Sequence, residues 1–243
     1  MTRGILIAGN ESSLFSAVAA EAVKRVESFA CALIPNRFPP PEGGIPQQKT
    51  EITGGAIPLS WNPSSPISAR TLILAAENRL GKINDAILIC SPPAVFKTAE
   101  ALMPEEIEIL VNDHVKGWFF LIRELALYFR RLGAGTLSLA VPENSQYSGK
   151  EAPGHSVWNK NIQTDLLGST AAASFRNLAQ GILVSSINEP FQVMGFTGSE
   201  AGMETEFASW LFKIIDEGAG KNKGRWHKYS KMGFFQRGSA RLI

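Results

Sequence analysis

Short, unbroken apolar runs separated by helical stretches constrain this chain more than any other feature. Gly4 to Ala8 is such a run, closed by Gly9, and Phe29 to Ile34, Asp85 to Cys90 and Thr136 to Val141 repeat the pattern. Runs of this length without polar alternation suit strands buried on both faces, as in a parallel sheet. Between them, Leu14, Val18, Ala22 and Val26 recur at four-residue spacing and predict a helix over about Ser12 to Glu27, capped by Ser12 or Asn10. Ile57 to Trp61 is a weak third strand, and Ile67 to Leu80 predicts a second helix. Pro104 opens a long helix reaching about Arg131, with Glu105, Glu106 and Glu108 near its positive end. A helix from about Ile162 to Gln180, a strand over Ile182 to Ile187, a helix over Glu204 to Asp216 and a strand near Arg225 to Tyr229 complete the reading. Alternating strands and helices predict an α/β fold, a doubly wound parallel sheet with right-handed crossovers in one domain over residues 1–243. The stretch 35–56, with Pro39-Pro40-Pro41-Glu42-Gly43-Gly44-Ile45-Pro46, predicts a loop where such a fold would place a helix between its second and third strands.

A chain of 243 residues, 44% of them hydrophobic, can bury a sizeable core. It holds no run of about eighteen apolar residues and no signal-peptide order at its start. Cys31 and Cys90 sit inside apolar runs and read as buried thiols, so a cytoplasmic location is expected. The net charge of +2 conceals an asymmetry. The segment 218–243 carries seven basic residues and no acidic one, which leaves seventeen basic against twenty-two acidic residues elsewhere, a net of −5. Such a segment can attract an anionic partner, with Trp226, Tyr229, Phe234 and Phe235 as candidate stacking platforms for bases. Its plainer reading is a solvated edge strand.

Several local stretches fall in a familiar order: Asp85-Ala86-Ile87-Leu88, Val115-Lys116-Gly117-Trp118-Phe119, Gly135-Thr136-Leu137, Phe175-Arg176-Asn177-Leu178-Ala179, and Ile182 to Pro190. In that order the chain resembles the short-chain dehydrogenase/reductase family over nearly its whole length. The resemblance implies a Rossmann-like single domain, a nicotinamide cofactor on the first strand–helix turn, and a subunit interface built from the helices at 104–131 and 162–180. It therefore implies a homo-oligomer, dimer or tetramer. The aromatics of the first of these helices and the small residues Gly168 to Ser174 of the second suit either an interface or ordinary core packing.

The departures from the family are chemical. Where the family has three glycines, this chain has Ala8-Gly9-Asn10-Glu11-Ser12-Ser13-Leu14-Phe15. Gly9 is kept and Ser13 is tolerable, but Phe15 brings a benzyl group and Glu11 a negative charge to a turn that must admit pyrophosphate. By position, cofactor contacts fall to Gly9, Ser13, Arg37, Asn62 and Ser91, with Arg37 suited to the 2′-phosphate of NADP. The family's proton-transfer set of Asn, Ser, Tyr and Lys maps to His114, to Pro142, and to Thr164 and Gly168 or, counted without a gap, His155 and Asn159. No phenol and amine result. The substitutes within the chain are His114 and the pair Tyr147 and Lys150.

His114, His155 and His227 lie too far apart in sequence for a metal site, and Gly154-His155-Ser156 makes no nucleophile elbow. Three readings of function follow. The leading one is a non-catalytic or cofactor-impaired dehydrogenase-like protein acting in binding or assembly, with no cofactor expected. The second is an atypical NADPH-dependent oxidoreductase acting on a carbonyl or alcohol. The third is an interaction module that binds an anionic partner through 218–243.

Overall fold

A computed structural model describes residues 3–25, 28–34, 37, 55–92, 95, 97–142, 165–198, 202–218 and 224–229. Strands β1 (Gly4–Asn10), β2 (Ser28–Ile34), β3 (Ile57–Leu59), β4 (Asp85–Ile89), β5 (Thr136–Val141), β6 (Gln192–Thr197) and β7 (Arg225–Lys228) form one sheet in the order β3-β2-β1-β4-β5-β6-β7. Every pairing is parallel. The helices are α1 (Ser13–Lys24), α2 (Pro66–Leu80), α3 (Pro104–Ile109), α4 (Gly117–Leu132), α5 (Leu166–Ser185) and α6 (Glu204–Asp216). A π-helical segment, Leu110–Lys116, joins α3 to α4, so the long helix expected from Pro104 is continuous but widened in its middle.

The apolar strands are buried on both faces, as their lack of alternation requires. Leu6 and Ala8 of β1 and Ala86 and Leu88 of β4 join a core with α2, α4 and α5. Their neighbours Ile5, Ile7, Ile87 and Ile89 join a second core beneath α1 and α6. Strand order reverses between β1 and β4, so a crevice opens beyond the carboxyl ends of those two strands. Across the opposite end, Arg3 pairs with Asp85 and Asp216, and Arg25 pairs with Asp216 and Glu21, tying α1 and α6 to the sheet.

One expected strand is not a strand. Ile182 to Ile187 mostly continues α5, and the chain enters the sheet only at Gln192. Leu183 packs into the core one turn after Ala179, while Val184 and Ile187 stay exposed, which is helical rather than extended spacing. Val193, Met194 and Phe196, all buried, supply the apolar run instead. Of the small residues of α5, Gly168, Ala171 and Ala172 turn inward, where α5 packs against the π segment, while Thr170 and Ala173 are exposed. Of the long-helix aromatics, Trp118, Tyr128 and Phe129 are core, while Phe119 is exposed.

The edge strand β7 carries exposed Arg225 and Lys228. Trp226 covers Gly195 and donates to Gln180 Oε1 at 2.7 Å, and Tyr229 packs on Phe207 and Trp210. These two aromatics are therefore engaged by the fold rather than held out as platforms for bases. The rest of the basic segment lies outside the described residues. No helix among the described residues is long and apolar enough to cross a membrane.

Candidate functional site

Three groups of polar side chains meet the crevice. Asn10, the last residue of β1, is buried, and its Oδ1 accepts from the Ser91 amide at 3.3 Å just beyond β4. Its Nδ2 lies 3.3 Å from Nδ1 of buried His114 on the π segment. An amide nitrogen only donates, so His114 Nδ1 is an acceptor and the ring proton sits on Nε2. Burial pushes the imidazole down to about 4, so it is neutral at pH 7.

The second group lies towards β2 and β3. Arg37 Nη2 donates to Asn62 Oδ1 at 3.3 Å, and its Nε stands 3.4 Å from Asp113 Oδ2. Asn62 Oδ1 also accepts from the Ser64 amide and hydroxyl, while Ser65 caps α2, so Asn62 is occupied as a turn residue. Asp113 is fully buried and neither carboxylate oxygen receives a hydrogen bond. Burial pushes its carboxyl upward, and the Arg37 charge opposes that rise.

The third group comprises the starts of α1 and α5. Ser12 caps α1 by accepting from the Phe15 amide, and Ser13 donates to Glu204 Oε1 at 3.0 Å. A carboxylate of the chain thus stands beside the helix end expected to receive phosphate. Phe15 is fully buried in the core under α1, against Gly9, rather than standing in open solvent above the turn. Gly9 has its own structural reason, because an added Cβ there would lie 2.7 Å from the Ile89 carbonyl oxygen. At α5, Asp165 Oδ1 accepts from the Gly168 and Val95 amides, while buried Oδ2 has no partner. A Cβ on Gly168 would lie 2.1 Å from that oxygen, so a carboxylate fills the space beside the position to which the family resemblance maps an ammonium.

The fold therefore brings Gly9, Ser91, His114, Arg37 and Asn62 to one end of the sheet, with Ser13 at the start of α1. Tyr147, Lys150 and His155 lie outside the described residues. Sequence reasoning missed Asn10 as a hydrogen-bonding hub, Asp113 and Asp165. Asp113 was findable: it stands four residues before Gly117, in the series Gly117, Leu121, Leu125 that faces the core. No cluster of three or more His, Cys, Asp or Glu among the described residues suits a metal ion. Two cavities of about 330 and 340 Å³ lie on the outer faces of α2–α4 and of the long helix, away from the crevice.

No protein-family model matches the sequence, and no curated protein matches it. Solved structures do match the fold. A short chain dehydrogenase from Mycobacterium smegmatis superposes with a TM-score of 0.68 at 12% identity, over 95% of this chain and 93% of that one. An NADH-dependent reductase complexed with NAD gives 0.67 at 10% identity, over 94% and 95%. An acetoin dehydrogenase from Salmonella typhimurium gives 0.67 at 13% identity, also over 94% and 95%. One parallel seven-stranded sheet, helices on both faces and a match along nearly the full length lead to one conclusion: the chain has the fold of the short-chain dehydrogenases/reductases.

Proposed function

We propose that this chain is a cytoplasmic binding or assembly protein on a dehydrogenase fold, working without hydride transfer. The observation that carries this reading is the reversal of charge at the start of α5. Gly168 replaces the amine that would lower a phenol's pKa, and the Asp165 carboxylate fills the adjoining space. An anion there raises the pKa of a neighbouring acid rather than lowering it.

Two further features support the reading. The Ser13–Glu204 pair sets a negative charge at the start of α1, where pyrophosphate would need to approach. His114, held neutral with its ordinary pKa depressed to about 4, is a poor proton donor at pH 7. The residues present thus fit a dinucleotide poorly.

The same reading includes a second copy as partner. Ile107, Val111, Phe119 and Leu127 are apolar residues left exposed along the long helix. Its early part carries exposed Glu105 and Glu108, and its late part exposed Arg123, Arg130 and Arg131, which within the chain pair with Glu124, Glu189 and Glu77. An antiparallel copy would set acid against base along that helix.

The deciding measurement combines calorimetry with NADH and NADPH at millimolar concentration and a turnover screen over carbonyls and alcohols. Absent binding and turnover are expected. Cofactor-dependent turnover abolished by His114→Ala would overturn the reading.

A further inference from the structure

We propose that Asp113 is a ligand-binding carboxylate for a compact cationic group, an amidinium or ammonium on an aromatic body, and that Arg37 is an internal placeholder on it. The inference rests on the non-redox reading above and names the ligand class of that crevice.

A carboxylate with no exposed surface and no hydrogen bond to either oxygen is costly to keep. Structural carboxylates in this chain are treated differently. Glu106 accepts from Lys97 Nζ at 2.7 Å and from the Met103 amide at 3.0 Å, and Asp165 Oδ1 takes two backbone amides. Asp113 has only Arg37, whose Nε stands 3.4 Å away without a hydrogen bond. Arg37 spends its Nη2 on Asn62 instead. The guanidinium therefore supplies charge but leaves both acceptors empty.

The arrangement is open to replacement on one side. The Arg37 side chain is 41% exposed, so it is the solvent-facing neighbour of a buried anion and can swing away into water. Aromatic residues lie close in sequence to both Asp113 and Asn62. Trp118 follows on the next helical turn and packs at 5.6 Å on Trp61, the residue before Asn62. The Trp61 indole N–H is itself buried without a hydrogen bond. An amidinium presents two parallel N–H groups to a carboxylate, which fills both empty oxygens at once.

The two residues then act in opposite directions, which a purely structural ion pair does not do. The probe is benzamidine, with benzoate as its charge-reversed control, followed by calorimetry and tryptophan fluorescence on the full chain. Benzamidine is expected to bind the wild type and benzoate to fail. Arg37→Ala is expected to tighten benzamidine several-fold by removing the internal competitor. Asp113→Asn is expected to weaken it ten-fold or more, with far-ultraviolet dichroism unchanged. The proposal is overturned if benzamidine does not bind Arg37→Ala at millimolar concentration, if Arg37→Ala binds it more weakly than the wild type, or if Asp113→Asn binds it equally well. NADPH titrated into the same variants separates the two ideas. Benzamidine failure alongside absent NADPH binding sinks this inference and leaves the non-redox reading standing. NADPH binding that falls in Arg37→Ala sinks both.

Discussion

His114 and Phe15 are both buried, one as an ionisable group and one as an apolar one. The unfolded chain binds a proton on His114 below its ordinary pKa of 6.5, whereas the folded chain does so only below about 4. Acid therefore favours unfolding across that window, by roughly 2 kcal/mol between about pH 7 and pH 5. Asp113 works with the opposite sign: its raised carboxyl takes a proton more readily when folded, so acid relieves it. Glu106, held below its ordinary 4.5 by Lys97, loses its contribution only at lower pH. Comparing His114→Asn with the wild type isolates the histidine. Urea titrations at the two pH values should show the stability loss in the wild type and most of it gone in the variant. Phe15 is a core residue with no exposed surface. Its truncation to Ala should cost about 3–5 kcal/mol, read as a lower denaturation midpoint, rather than simply opening an anion site.

The π segment is the element on which the site depends. Inserting a residue into a helical turn is characteristic of functional positions, and here it places Asp113 and His114 side by side on buried faces. Val111 within the segment and Phe119 just after it are exposed. Gly117 closes the segment because the loop before α2 crosses it: an added Cβ would lie 2.5 Å from the Pro63 Cβ. Alanine normally favours a helix by about 1 kcal/mol over glycine. Gly117→Ala should nevertheless destabilise by roughly 1–3 kcal/mol through overpacking. Thermal melts check this, and Pro63→Ala in the same chain should recover part of the loss, because residues in contact are coupled.

Across the whole molecule, the proposed pairing with a second copy is read as an association state. In that proposal the exposed apolar residues of the long helix, Val111 and Phe119 among them, meet a second copy. Val111→Glu combined with Phe119→Glu places charges among those residues, and sedimentation equilibrium should report a monomer mass where the wild type reports a multiple. An unchanged multiple would move the contact to another face. Salt should weaken the wild-type assembly modestly, since the charges flank an apolar centre.

Sequence by itself determined the layers. Apolar runs such as Gly4 to Ala8 and Asp85 to Cys90 can only be satisfied with both faces covered, and Glu204 to Asp216 emerged with the bounds read from its periodicity. It also showed that no amine stands at Gly168. Local pattern failed where two structures bury the same residues. Ile182-Leu183-Val184 is too short to separate helix from strand, and only packing of Leu183 below Ala179 decided it. The site belonged to tertiary structure more completely. Asn10 and His114 are 104 positions apart, and Arg37 reaches Asp113 only because strand order reverses between β1 and β4. Whether a carboxylate is solvated or stranded depends on everything packed around it, which spacing along one chain does not contain.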